Sequence, residues 1–392
     1  AGANAGVPLV AVGPDSSIYV AATASVATIP SIDGVLPLST LQGSQDILVM
    51  RLTPDLGTLW YRYLGGTGVE VSSSIALAGD GSVLIGGRTS ADHALDGLTP
   101  LNAYAGAADP VVYRLDSDGR GLWYSFLGSA GIDDQAYVSR VNSEPPGSGQ
   151  SDAADQLVIA ATSGGDIATL QGQSPARSYS GGQDIALFRM TRGGELIDYS
   201  FYGGPGNQTV SDVVSLRGGN IAILGDSGED LASIDGVAGT GIGYLGPGSD
   251  ALILRTDSRG AALGYRFLGT GSAEMDDVIE PDRSGDVWVL GETQSSSFDA
   301  LSPFARSTVN EVTLLRLDAN LNVASFLLYG GTSEDFVEGA APTVDGGVLV
   351  VGGAEDNGFS FPEAARTFDA PAIGTGDGFY LRVFANGRTV PD

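Results

Sequence analysis

The sequence predicts an all-β chain: a β-propeller of six four-stranded blades, the sixth lacking its outer strand within this chain. Three observations lead there. An acidic residue followed five positions later by arginine recurs six times. An Asp/Gly/Asn-rich turn follows each copy, and in five of them an aromatic run ending near glycine comes next. Upstream lies a second pair of strand-like runs joined by a tight turn. Four short strands per unit, repeated, is how a β structure keeps its edges short.

The first two strands of each unit, a and b, read from segments such as LVAVGPDSSIYVAA (9–22), SIALAGDGSVLIGG (74–87), VVSLRGGNIAILGD (213–226) and APTVDGGVLVVGG (341–353). Turn residues between two apolar runs specify a hairpin. Strand c carries the acid–arginine mark: Asp46/Arg51, Asp109/Arg114, Asp184/Arg189, Asp250/Arg255, Glu311/Arg316 and Asp377/Arg382, with apolar-rich residues between. Six equivalent copies suit a scaffold role, because a single active site needs asymmetry. Strand d is the aromatic run, as in LWYRYLGG (59–66) and LWYSFLGS (122–129).

The blades fall at about 7–66, 69–129, 132–204, 207–269, 272–331 and 334–392, in one domain spanning 1–392. NSEPPGSGQSDAADQ (142–156) reads as an insertion between strands a and b of blade three. After FYLRVFANG (379–387) only RTVPD remains, so blade six lacks strand d. A further segment, or another protein subunit adding a strand, is expected to complete it, unless the edge is left open. The b–c loops, about 17–22 residues each, are expected to crowd one face, the first place to look for binding.

The D-x-φ-φ-x-R-φ strand, the Asp/Gly turn, the run ending Tyr-Leu-Gly-Gly and the next D-G-S-V-φ-φ-G-G hairpin resemble the bacterial SBBP-type β-propeller repeat family. The resemblance covers nearly the whole chain. It implies a secreted or surface-attached bacterial protein, and it implies no common activity or catalytic motif.

Composition removes several functions. Without cysteine there is no disulfide framework, thiolate nucleophile or iron–sulfur site. All 19 basic residues are arginine, against 47 acidic ones, for a net charge of −28. Such a surface repels nucleic acid and anionic headgroups. No apolar run is long enough to predict membrane insertion. The opening AGANAGVP is no signal peptide and fits what remains once one is removed. His93 is the only histidine, so neither a histidine triad nor an ordinary zinc site is expected.

What remains is acidic and aromatic. The d–a connections carry Glu70, Asp133, Asp134, Glu274, Asp276, Asp277, Glu334 and Asp335, which would take Ca²⁺ or else cap turns and pair with the arginines. Calcium is the one cofactor left open. DSDG (116–119) and DRSGD (282–286) sit at hairpin turns and lack the calcium-loop continuation. Tyr104, Tyr179, Tyr244, Phe298, Phe304, Phe361 and Phe368 recur before strand c, placed to pin the loops or to stack on sugars. Trp60, Trp123 and Trp288 sit within strands and suit packing.

The leading expectation is a non-catalytic secreted or cell-surface module for structure or protein interaction, part of a larger extracellular assembly. One alternative is a carbohydrate-binding or adhesive propeller, with polysaccharide as partner and calcium in support. The other is a carboxylate-dependent polysaccharide hydrolase or lyase, since glycosidases need only two acids.

Overall fold

The computed structural model describes residues 8–25, 28–140, 156–241, 243–244, 246, 248–268, 274–282, 284–293, 311–329, 335–343, 345–354 and 377–384. Six antiparallel sheets follow one another along the chain, the architecture of a six-bladed β-propeller. Contacts divide the chain into two compact units, Ala1–Val210 and Ser211–Asp392.

The first unit holds three blades. Blade one is β1 (Leu9–Val12), β2 (Ile18–Ala24), β3 (Asp46–Leu52) and β4 (Thr58–Leu64). Blade two is β5 (Glu70–Leu77), β6 (Val83–Thr89), β7 (Asp109–Leu115) and β8 (Gly121–Phe126). Blade three is β9 (Ala136–Arg140), β10 (Leu157–Ser163), β11 (Asp184–Met190) and β12 (Leu196–Tyr202). Each of these three sheets is ordered a-b-c-d. The core lies between sheets: Tyr19, Ile47, Trp60, Val83, Tyr113 and Phe126 join blades one and two. Leu84, Val112, Trp123, Ile159, Phe188 and Tyr199 join blades two and three. A sheet covered on both faces loses the in–out alternation of a half-solvated one. Thus β7, β10 and β11 are buried at all seven positions, whereas β2 alternates.

In the second unit β13 (Gln208–Ser215), which begins just before it, pairs in order with β14 (Ile221–Ser227), β15 (Asp250–Thr256) and β16 (Ala262–Phe267). Blade five is β17 (Glu274–Pro281), β18 (Val287–Thr293), β19 (Glu311–Leu317) and β20 (Val323–Tyr329). Blade six has three strands among the described residues: β21 (Asp335–Pro342), β22 (Val348–Ala354) and β23 (Asp377–Val383). Trp288, Leu314, Val348 and Leu381 belong to the core joining blades five and six. In the five complete blades the c–d register shifts by one at the repeated arginine, a β-bulge that re-aims the strand end.

The b–c loops depart from the expected crown on one face. In blades one to four they run back along strand d. Each contains a tight turn bridged as Ile32↔Val35, Leu95↔Leu98, Leu170↔Gln173 or Ile234↔Val237. Its two central residues have positive φ, as in Asp96 (51°) and Gly97 (76°), the geometry that selects an Asp-Gly pair. The loop then hydrogen-bonds the outer strand: the N–H groups of Leu38, Leu101, Ala176 and Thr240 donate to the carbonyls of Tyr61, Tyr124, Tyr199 and Tyr265 at 2.8–2.9 Å. Strand d is the edge of each sheet, and its unpaired backbone groups are what the loop covers.

Candidate functional site

The repeated arginines act as bolts. Arg51 pairs with Asp15 at 2.6 Å and donates to the carbonyl of Ser117 in the next blade. Arg114 pairs with Asp80 at 2.6 Å and donates to the carbonyl of Arg192. Arg316 pairs with Asp282 and Arg382 with Asp345, in each case the acid of the blade's own a–b turn. Arg189 takes Asp198 instead. Arg255 is nearly buried, which pushes its pKa down, and the charges acting on it are those of Asp286 and Asp318. Trp60 and Trp123 donate to the same next-blade turns, at Ser117 and Arg192.

In blades one to three the acid of the repeat bonds the backbone of its own loop. Asp46 accepts the N–H groups of Gln42 and Gly43, Asp109 those of Ala105 and Gly106, and Asp184 that of Ser180, tying each loop to the start of strand c. Asp250 and Glu311 are likewise buried, and Asp377 opens β23.

The d–a acids sit beside them. Glu70 accepts from Gly66 N–H and Thr89 hydroxyl, and Asp133 from Ser129, Ser163 and Gly164. Gly65 lies between Asp46 and Glu70 so closely that a Cβ there would come 2.3 Å from the Glu70 carboxylate. Burial pushes Asp46 and Glu70 up, and Asp109 to about 6 with help from the Asp133 charge. Asp335 is buried at its junction, and Asp134 reaches Arg88 at 3.6 Å. Glu274, Asp276 and Asp277 lie along β17, whose register shifts between Asp276 and Val278, and Glu334 lies outside the described residues. Among the described residues no three His, Cys, Asp or Glu side chains gather as a metal would require.

The residue patterns did not reveal one acidic pair. Asp212 on β13 accepts the N–H groups of Val213 and Ile279, and burial raises it to about 7. Glu280 on β17 is raised to about 8 by burial and by the Asp212 charge. Their separation by 68 positions in sequence leaves no local pattern to read.

The other singled-out residues fall into structural places. Tyr104, Tyr179 and Tyr244 meet Phe126, Phe201 and Phe267 edge-on at 5.6–5.8 Å. Phe298, Phe304, Phe361 and Phe368 lie outside the described residues. In DSDG and DRSGD the first Asp accepts backbone N–H groups of its own turn.

An open cleft of about 330 Å³ lies in the first unit between blades one and two. Its walls come from the blade-one loop (Ser39, Gln42), the end of strand d (Arg62, Thr67) and the blade-two loop (Asp92, His93). Arg62, nearly buried, forks onto both carboxylate oxygens of Asp96 at 2.9 Å. His93 Nδ1 lies 3.1 Å from the Ala91 carbonyl and Nε2 2.6 Å from the Tyr113 hydroxyl, so Nδ1–H donates and Nε2 accepts. The imidazole stacks on Tyr113 and Tyr124, and Phe126 meets it edge-on.

No family model and no curated protein matches this chain. Similar solved structures exist at low identity. A protein of unknown function from Dyadobacter fermentans is 12% identical with a TM-score of 0.44, over 89% of this chain and 90% of that one. An α-L-arabinanase from Penicillium chrysogenum, complexed with arabinobiose, is 12% identical with a TM-score of 0.43, over 89% and 88%. The NanB sialidase of Streptococcus pneumoniae, as its K499G mutant, is 8% identical with a TM-score of 0.44, over 89% and 65%. Likenesses at this level say nothing of activity.

Proposed function

We propose that this chain is a non-catalytic interaction module of the SBBP-repeat type, exported by a bacterium, that binds a protein partner by strand addition at blade six. The observation that carries this reading is the outer edge of β23, which has no strand partner among the described residues. A backbone edge of this kind pairs with an extended segment whose alternate side chains supply specificity. The non-catalytic part rests on the described carboxylates of the first unit, where the buried ones are committed to backbone N–H groups and hydroxyls.

The test is a labelled peptide with this chain's own strand-d sequence, RGLWYSFLGS (120–129), titrated into the protein and followed by fluorescence anisotropy. Saturable binding is expected, and a peptide with proline in place of the central tyrosine should not bind. Equal binding of both peptides, or of neither, defeats the reading.

A further inference from the structure

The cleft between blades one and two lies where the repeat is broken, and we infer that it is a binding site for a neutral, hydroxyl-rich ligand of single-sugar size. A strand-d tyrosine hydroxyl reaches a loop carbonyl in four blades: Tyr61 to Ile29, Tyr124 to His93, Tyr199 to Ile167 and Tyr265 to Leu231. Three of those loop residues are aliphatic, as a contact against a packed blade asks. The fourth is the chain's sole histidine, and it lines the cleft.

The spacing changes at the same place. His93 stands three residues before Asp96, whereas Ile29, Ile167 and Leu231 stand four before Asp33, Gln171 and Asp235. The partner of the turn residue changes too. Asp33 accepts from the backbone N–H and the hydroxyl of Thr58, while Asp96 accepts from Gly121 N–H and also holds Arg62. Three departures from a repeated pattern, at one cleft, supply the asymmetry that a single site requires.

The walls decide the ligand class. They are more polar than apolar, which disfavours a greasy occupant. The only cation in them, Arg62, is neutralised by Asp96, and Asp92 stands exposed beside it, so an anion meets net negative charge. The described residues gather no metal-binding group. Hydroxyl and amide groups of Thr40, Thr67 and Gln42, with the Asp92 carboxylate, match the mixed donors and acceptors of a sugar or polyol. The volume sits at the lower end of small-ligand pockets, room for about one ring. Aromatic stacking holds His93 in place before any ligand arrives, which lowers the ordering cost of binding.

The sole histidine makes its own probe, because the protein has a single imidazole signal. Nuclear magnetic resonance would follow it during titration with glucose, galactose, mannose, xylose and myo-inositol. A saturable shift with at least one of them, with Kd on the order of 1 mM, is expected. His93→Ile, which installs the residue found in blade one, should weaken binding by about tenfold or more in saturation-transfer spectra. Its melting temperature should fall, because the buried Tyr113 hydroxyl loses its partner, so binding is compared at a temperature where the variant is still folded. If that variant fails to fold, exposed Asp92→Asn should show the same loss. Silence from every compound up to about 50 mM, or undiminished binding by the folded variants, overturns the inference.

Discussion

Blades two and six carry the same strand c and live in different surroundings. In blade two, Val112 is fully buried and the Arg114 side chain is 6% exposed, held by Ser82, Asp80 and the carbonyl of Arg192. In blade six, the matching Tyr380 is 59% exposed and the Arg382 side chain 49%, with Asp345 as its ion-pair partner. The strand sequence is therefore not what buries itself. For Val112 burial comes from the neighbouring sheet packed on its face.

The largest expected effect lies in the fourth strand of blade two. Tyr124→Ala removes a buried ring and a hydroxyl that anchors the blade-two loop at His93 and Leu98, and should cost about 3–5 kcal/mol. Tyr380→Ala should stay within about 0.5 kcal/mol. Denaturant midpoints at an unchanged slope measure both, and comparable losses would break the contrast. Next, Arg114→Gln should cost about 2–4 kcal/mol because it strands polar partners in a buried setting. Arg382→Gln, an exposed pair, should cost under about 1 kcal/mol.

A smaller effect concerns protons. Asp109, at about 6 in the folded chain, is more protonated there than when unfolded between its ordinary 3.8 and 6. Its contribution is therefore full below that window and falls by about 2–3 kcal/mol as pH rises through it. Asp46 and Glu70, raised by burial, act in the same direction. Asp80, Asp96 and Asp282 are held low by hydrogen bonds and arginines, so their contribution is lost as acid protonates them. Thermal melts should peak between about pH 4 and 5, and Asp109→Asn should flatten the decline towards neutrality. A melting temperature that climbs steadily from pH 4 to 8 would contradict this.

The blade repeat was legible because strands a to d are short, local and marked by turn residues such as Gly81 and Gly119. The course of the b–c loops was not. It depends on long-range bonds, from Leu101 to Tyr124 and from Asp96 to Gly121, that no local pattern announces. Yet a signal was present. Ile-Asp-Gly at 32–34, Leu-Asp-Gly at 95–97 and Ile-Asp-Gly at 234–236 mark a tight hairpin inside what reads as a plain loop. The cleft was half legible: His93 stood out as the only histidine, but its neighbours Ser39, Arg62 and Thr67 come from separate segments that only folding brings together.

The loop laid over strand d has a consequence for how such a chain grows. Each of the first four repeats encodes both a sheet and the cover for its own outer edge. Copying one repeat within a gene would add a blade already guarded against sticking to its neighbours in solution. Blade number could then change by duplication without a compensating mutation elsewhere.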